Sequence, residues 1–246
     1  MPSTVKRINT WSSPRNVSTA LMYAFAQRKD TQVFDEPLYA HYLSSTQRRI
    51  LHPGAEEIIA SQEKDGEKVV RRILLGSHSR PIAFFKQMAH HLIGLDESFL
   101  LEMDNVLLIR DPQAIIFSYN KVIPNPSMED IGIKKMYSLF QFLSENGRLS
   151  AVVDSRELLS GPESVLRQLC RRLSITFDKD MLKWKPGSRP EDGVWARYWY
   201  SRVHRSSGFE PFLERDYELP ARLRSLAAEC RPYYEKLYAA AIKAEL

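Results

Sequence analysis

Short apolar runs that alternate with helix-patterned stretches constrain this chain more than any other feature. Val5–Trp11, Thr31–Asp35, Pro81–Lys86, Asn105–Ile109 and Ala151–Asp154 each read as a strand. The first begins with alternating Val, Lys, Arg and Ile, which gives it a wet end; short apolar runs such as NVLLI and AVVD suit strands covered on both faces. Helix patterns lie between them. Val17, Ala20, Leu21, Ala24 and Phe25 follow the spacing of one buried helical face. Asp111-Pro112 reads as an N-cap with proline at the first helical position. Ser127 and Asp130 resemble a capping box ahead of a helix running to about Gly147. Ser160-Gly161-Pro162 opens a helix with Val165, Leu166, Leu169, Cys170 and Leu173 on one face. The stretch from about Pro220 is helical in pattern, and Pro232 is expected to divide or kink it. Strands alternating with helices imply an α/β fold, three layers deep (α/β/α), around a central, mostly parallel sheet of about five strands. We expect one domain over residues 1–246, with a helical or irregular insert at about 42–80 and a C-terminal helical segment at about 217–246.

Composition narrows the class of protein. Of 246 residues, 43% are apolar and 26% charged, which excludes disorder, collagen and coiled coil as descriptions of the whole chain. No run approaches the ~18 apolar residues of a membrane span, and the opening MPSTVKRINTW lacks the apolar stretch of a secretory signal. Cys170 and Cys230 are far apart, forming neither a disulfide framework nor a metal cluster. These features lead us to expect a cytoplasmic protein. Net charge is +5, from 35 Lys and Arg against 30 Asp and Glu, and biases any partner towards anions. The basic residues are scattered, clustering only in pairs such as Arg48-Arg49, Arg71-Arg72 and Arg171-Arg172. A nucleic-acid reader would show a denser stripe, so a solvated surface or a small anionic ligand is expected instead.

In parallel sheets ligands bind beyond the carboxyl ends of the strands. Residues 11–19 join the first strand to a helix, at the position of a nucleotide-binding P-loop. The free N–H groups and positive dipole end of that helix suit a phosphate. Arg15 adds a forked cation, and Ser18 and Thr19 add hydroxyls. The GxxxxGK[ST] pattern is absent: there is no glycine and no lysine, so the loop is expected to wrap less tightly. At the fourth strand's end Arg110 is followed eight residues on by Ser118, and the two can grip one phosphate from two sides.

Together these loops carry a resemblance. SSPRNVSTALMYAFA resembles the 5′-phosphosulfate loop of sulfotransferases that use 3′-phosphoadenosine 5′-phosphosulfate (PAPS), and RDPQAIIFSY resembles their 3′-phosphate motif. DSRELLSGPESVLRQLCRRLSITFD is similar to the strand–helix segment that follows in the family. The resemblance spans roughly residues 5–180, matches poorly at about 42–80, and is nearest to bacterial and plant sulfotransferase-like proteins. Arg15-Asn16-Val17 stands where the family carries a Lys-Ser-Gly-type centre; Arg for Lys keeps the cation and adds bidentate phosphate geometry.

The resemblance implies a P-loop-type fold and transfer of a sulfuryl group from PAPS to a hydroxyl or amine of a small-molecule acceptor, leaving 3′,5′-ADP, with no metal. Arg15, Asn16, Val17, Ser18, Thr19, Arg110 and Ser118 would hold the donor. Neither a membrane nor a nucleic acid would be a partner. An acceptor hydroxyl needs a base. The likeness to carboxylate-base sulfotransferases singles out Glu36, at the end of the second strand, with Asp35 as substitute. His41 could orient Glu36 or act itself. Lys86, ending the third strand, falls where many family members place a lysine on the sulfuryl group, and His90 or His91 follows as an alternative base. The cluster from Trp195 to Phe209, including Trp199, Tyr200, Arg202, His204 and Arg205, could close the donor site, line an acceptor pocket or form a small aromatic core. Two other readings stay open: a non-catalytic nucleotide-binding or interaction protein on the same fold, and a P-loop small-molecule kinase in which Ser18 or Thr19 would hold Mg²⁺.

Overall fold

The computed structural model describes residues 5–46 and 51–245, so the Arg48-Arg49 pair and Leu246 lie outside the described residues. Six parallel strands form one sheet in the order β2-β3-β1-β4-β5-β6. They are β1 (Lys6–Ser12), β2 (Thr31–Asp35), β3 (Ile82–Met88), β4 (Asp104–Ile109), β5 (Leu149–Asp154) and β6 (Ala241–Ile242). The sixth strand was not expected from sequence. It is two residues long, pairs with Val152 and Val153 at the sheet's edge, and is too short to carry a periodicity.

Each inner strand is buried on both faces, and successive side chains feed two separate cores. Phe84, Leu108 and Val153 point to one, against α1 (Ser18–Ala26) and α9 (Pro162–Arg172). Phe85, Leu107 and Val152 point to the other, against α5 (Pro112–Tyr119), α7 (Ile133–Glu145) and α11 (Ala221–Ala239). Phe25 of α1 stacks on Phe84 with ring centroids 4.1 Å apart. The result is the expected three-layer α/β/α arrangement.

Local signals place several helix starts. The Asp111 carboxylate accepts from the Gln113 N–H at 2.8 Å, capping α5, with Pro112 at its first turn. Ser127 and Asp130 form a reciprocal capping box, but it opens only the short α6 (Met128–Ile131). Gly132, at φ 70°, breaks the run before α7, so one expected helix is two. Helix α11 continues through Pro232 rather than ending there, with the Ala228 carbonyl denied its usual N–H donor. The insert folds as α2 (Tyr39–Ser45), α3 (Ala55–Ser61) and α4 (Gly66–Val69), the last running on into a wider π turn over Val70–Leu74. α8 (Ser155–Ser160) follows β5, and α10 (Ala196–Trp199) lies in the chain that crosses back over the strand ends.

Because β1 lies centrally, the chain leaves it for β3 and β2 on one side and reaches β4 and β5 on the other. The loops after β1 and β4 therefore open side by side at a topological switch point. Leu107→Ala and Leu108→Ala, in opposite cores, should each cost about 2–5 kcal/mol in denaturant unfolding. A large loss for one and none for the other would mean that one face of the sheet is not packed.

Candidate active site

The strand ends and the segment over them enclose a cavity of about 560 Å³. One half is basic. The β1–α1 loop is glycine-free, yet its turn needs a left-handed residue, and Arg15 supplies it at φ 56°. Asn16 ties the loop down: its side-chain amide donates to the Leu108 carbonyl at 2.8 Å, and its Oδ1 accepts from the Val17 N–H at 2.8 Å. Val17 supplies no side-chain cap, so the first N–H groups of α1 have no side-chain acceptor from it. Ser18 and Thr19, on that first turn, line the cavity.

The structure brings Arg110 and Ser118 to the same place through Arg15. Arg15 Nε donates to Ser118 Oγ at 3.0 Å, and Arg110 Nη1 donates to the Arg15 carbonyl at 2.5 Å. The Arg15 guanidinium lies 5.7 Å from the Trp199 ring centroid. Burial, and then the neighbouring Arg110 charge, lower the Arg15 pKa. Among the described residues neither Arg15 nor Arg110 is ion-paired with a carboxylate. Two close cations without a counter-ion favour an anion. Lys121 and Arg156 also line this half. Sequence reasoning passed over Arg156, although its place just past the carboxyl end of β5 was a usable signal.

The other half holds charges that are already paired. Asp35 and Lys86 are register partners across β2 and β3. β3 runs two residues further than expected, to Met88, so Lys86 lies within the strand rather than at its end. Its ammonium, 1% exposed, donates to Asp35 Oδ1 at 2.9 Å, to the Tyr200 hydroxyl at 2.8 Å and to Glu36 Oε1. Burial works against that charge, but Asp35 and Glu36 outweigh it and raise the Lys86 pKa. Glu36 sits just past β2 at φ 43°, held there by its N–H donating to the Lys86 carbonyl at 2.8 Å. Burial pushes its carboxyl up to about 7, with Lys86 opposing and Asp35 adding to the rise.

The histidines separate. His90 and His91 lie on a 3₁₀ turn over Ala89–Leu92 and line the cavity. Burial holds both below the usual imidazole range, His90 at about 3, and neither Nδ1 has a hydrogen-bond partner among the described residues. His91 Nδ1 lies 4.0 Å from Glu36 Oε2, its ring stacked between Tyr39 and Tyr42. His41 does not line the cavity; its ring nitrogens face the carbonyls of Ile93 at 2.8 Å and Lys64 at 3.3 Å. His52, from the insert, joins the lining, its Nδ1 2.9 Å from the Tyr39 hydroxyl. Nothing in its sequence neighbourhood signalled this, because the contact depends on how the insert folds back. Trp195, Trp199 and Tyr200 also line the cavity. Among the described residues no group of three or more His, Cys, Asp or Glu side chains is arranged to hold a metal ion. No helix among them is long and apolar enough to cross a membrane.

Removing one partner of a buried ion pair leaves the other charge uncompensated. Lys86→Met should therefore lower stability by about 3–5 kcal/mol, read by chemical denaturation at neutral pH. Adding Glu36→Gln should recover part of that loss, and no recovery would show that the pair does not share its charge.

The chain's relationships agree with this architecture. Residues 6–241 match the family model described as a sulfotransferase domain. Two Arabidopsis thaliana proteins are similar in sequence. "Branched-chain-amino-acid aminotransferase-like protein 2" is 39% identical over 231 residues, covering 94% of this chain and 41% of that protein. "Branched-chain-amino-acid aminotransferase-like protein 1" is 44% identical over 203 residues, covering 82% of this chain and 36% of that protein. The chain thus spans about two-fifths of the length of these relatives, whose names describe the whole proteins. Among solved structures, the sulfotransferase domain from the curacin biosynthetic pathway shares the fold with a TM-score of 0.56 at 16% identity, covering 92% of this chain and 98% of that one. The sulfotransferase from Alicyclobacillus acidocaldarius does so with a TM-score of 0.54 at 14% identity, covering 95% and 94%. The chain belongs to the sulfotransferase domain family.

Proposed function

We propose that this protein transfers a sulfuryl group from PAPS to a hydroxyl or amine of a small-molecule acceptor, releasing 3′,5′-ADP. One observation carries the reading: Arg15 and Arg110, without a carboxylate partner among the described residues, converge with Ser118 beside the start of α1, in the same cavity as the buried Glu36. Arg15, Asn16, Val17, Ser18 and Thr19 take the donor's 5′ side, while Arg110 and Ser118 take its 3′-phosphate. Sulfuryl transfer resembles phosphoryl transfer in passing in line through a loose transition state. The sulfuryl group carries less charge, so protein cations suffice in place of Mg²⁺.

Glu36 is the base. It takes the acceptor's proton as the new bond to sulfur forms and the bond from sulfur to the 5′-phosphate oxygen breaks. Arg15 and the first N–H groups of α1 meet the charge that develops on that oxygen. Lys86 spends its three N–H donors on Asp35, Glu36 and Tyr200, so it orients Glu36 rather than reaching the sulfuryl group. His90 and His91, held neutral, face the acceptor; His41, outside the cavity lining, takes no part.

3′,5′-ADP should stabilise the protein in a thermal-shift assay equally with and without Mg²⁺. Arg110→Ala should weaken that binding by about 1.5–3 kcal/mol, the size of a charge-assisted hydrogen bond; an unchanged dissociation constant would remove Arg110 from the site. A preference for ATP with Mg²⁺ would favour a kinase, and no shift with either nucleotide a fold without a donor site.

The pH dependence follows from Glu36. A base must be deprotonated, and a carboxyl raised to about 7 loses its proton only as pH passes that value. Turnover should therefore rise with pH through about 7. Glu36→Gln should lower kcat by about 10²-fold or more with donor binding intact. Retained turnover in that variant would pass the role to His90 or His91.

A further inference from the structure

We propose that Tyr200 is a positioning residue for the Glu36 base, holding Asp35 and Lys86 so that Glu36 is the carboxylate left free to exchange a proton. The inference rests on the reading of Glu36 as the base. Tyr200 lies 164 residues beyond Glu36 in sequence, just after the short α10, and its phenol joins the buried charge cluster through Lys86 and Asp35. Its hydroxyl has one proton and two lone pairs, and all are used. The proton is shared between Asp35 Oδ1 at 2.8 Å and Oδ2 at 2.7 Å. The oxygen accepts from Lys86 Nζ at 2.8 Å and from Trp195 Nε1 at 3.0 Å.

The two carboxylates are thereby made unequal. Asp35 accepts from three directions: Lys86, Tyr200, and the Gly193 N–H at 3.2 Å. Glu36 takes the remaining Lys86 donor on Oε1, while Oε2 lies 4.0 Å from His91 Nδ1 and accepts no hydrogen bond from it. Asp35 is the fixed counter-ion, and Glu36 the group whose proton can move. The titratable and charged groups facing Glu36 are Asp35 beside it, Lys86 on β3, His91 on the turn after β3, Tyr39 on α2, and Tyr200 itself. Tyr200 faces Asp35, Lys86, Trp195 and the His204 ring.

Removing the hydroxyl gives the sign. In Tyr200→Phe, Asp35 loses a donor and Lys86 loses an acceptor. The ammonium then serves Asp35 more and Glu36 less, so the charged form of Glu36 is less supported. Its proton binds more tightly, and the acid limb of the kcat–pH profile moves to higher pH. We expect a shift of about one pH unit, equivalent to an about tenfold loss of kcat on that limb, with recovery at high pH. A purely structural role would lower kcat evenly across the range.

The experiment pairs two readouts. Carboxyl ¹³C-labelled glutamate, with Glu36→Gln assigning the resonance, gives the Glu36 midpoint by NMR without any acceptor. The kcat–pH profile with PAPS and an acceptor found by screening gives it during turnover, and 3′,5′-ADP titration checks that donor affinity is unchanged. Trp195→Phe, which removes the donor to the Tyr200 oxygen together with part of a buried ring, should shift the midpoint the same way by less, and it carries the test if Tyr200→Phe does not fold. A midpoint that stays put in a folded variant overturns the proposal, whether or not the wild type turns over. A midpoint that moves in a protein inert towards PAPS supports the positioning role and overturns the proposed function instead.

Discussion

A parallel sheet with helices on both faces leaves only its strand ends open to solvent, and this constraint organises the molecule. β1, β2, β3, β4 and β5 all finish on one edge because they are parallel, so every loop able to carry chemistry meets there. The strand order adds a direction. With β1 central, the loops after β1 and β4 are neighbours, and Arg15, Arg110 and Ser118 come together although 103 residues separate Arg15 from Ser118. The two cores behind them, one on each face, hold that edge rigid.

The cavity's two halves treat charge in opposite ways. On the β1–β4 side the guanidinium groups of Arg15 and Arg110 lack a carboxylate partner among the described residues, and the Arg110 charge adds to burial in lowering the Arg15 pKa. On the β2–β3 side the Lys86 ammonium is held between the Asp35 and Glu36 carboxyls within the protein, where an unpaired charge would cost several kcal/mol. The first half keeps its positive charge open to the cavity, while the second pairs its charges inside the protein. The segment around α10 touches both, with Trp199 beside Arg15 and Tyr200 on Lys86. Arg15 and Glu36 are also two of four non-glycine residues with positive φ among the described residues, which places local backbone strain at both halves.

Much of this was legible in the sequence where the signal is local. Five of the six strands show as apolar runs, and Asp111-Pro112 and Ser127/Asp130 mark helix starts by cap chemistry that acts over three residues. The two basic loops after β1 and β4 could be named because each lies just beyond a recognisable strand. Harder to read were features with no local period. β6 is two residues long, the break at Gly132 needs the left-handed φ of one glycine, and α11 runs through Pro232 with Cys230, Tyr234 and Leu237 buried on either side of it.

By itself, the sequence determined the alternation of elements, and with it the layered fold and the edge at which a site must form, since both follow from periodicity and from the geometry of parallel strands. Only the tertiary structure decided which side chains share a cavity. His41 and Glu36 lie in one short segment, yet His41 turns to the carbonyls of Lys64 and Ile93 while Glu36 turns inward. Tyr200 and Asp35 are 165 residues apart and are joined by a hydrogen bond from the phenol to the carboxylate. The physical reason is that burial, which converts neighbouring charges into a coupled network, is a property of packed elements, and no spacing along the chain encodes it.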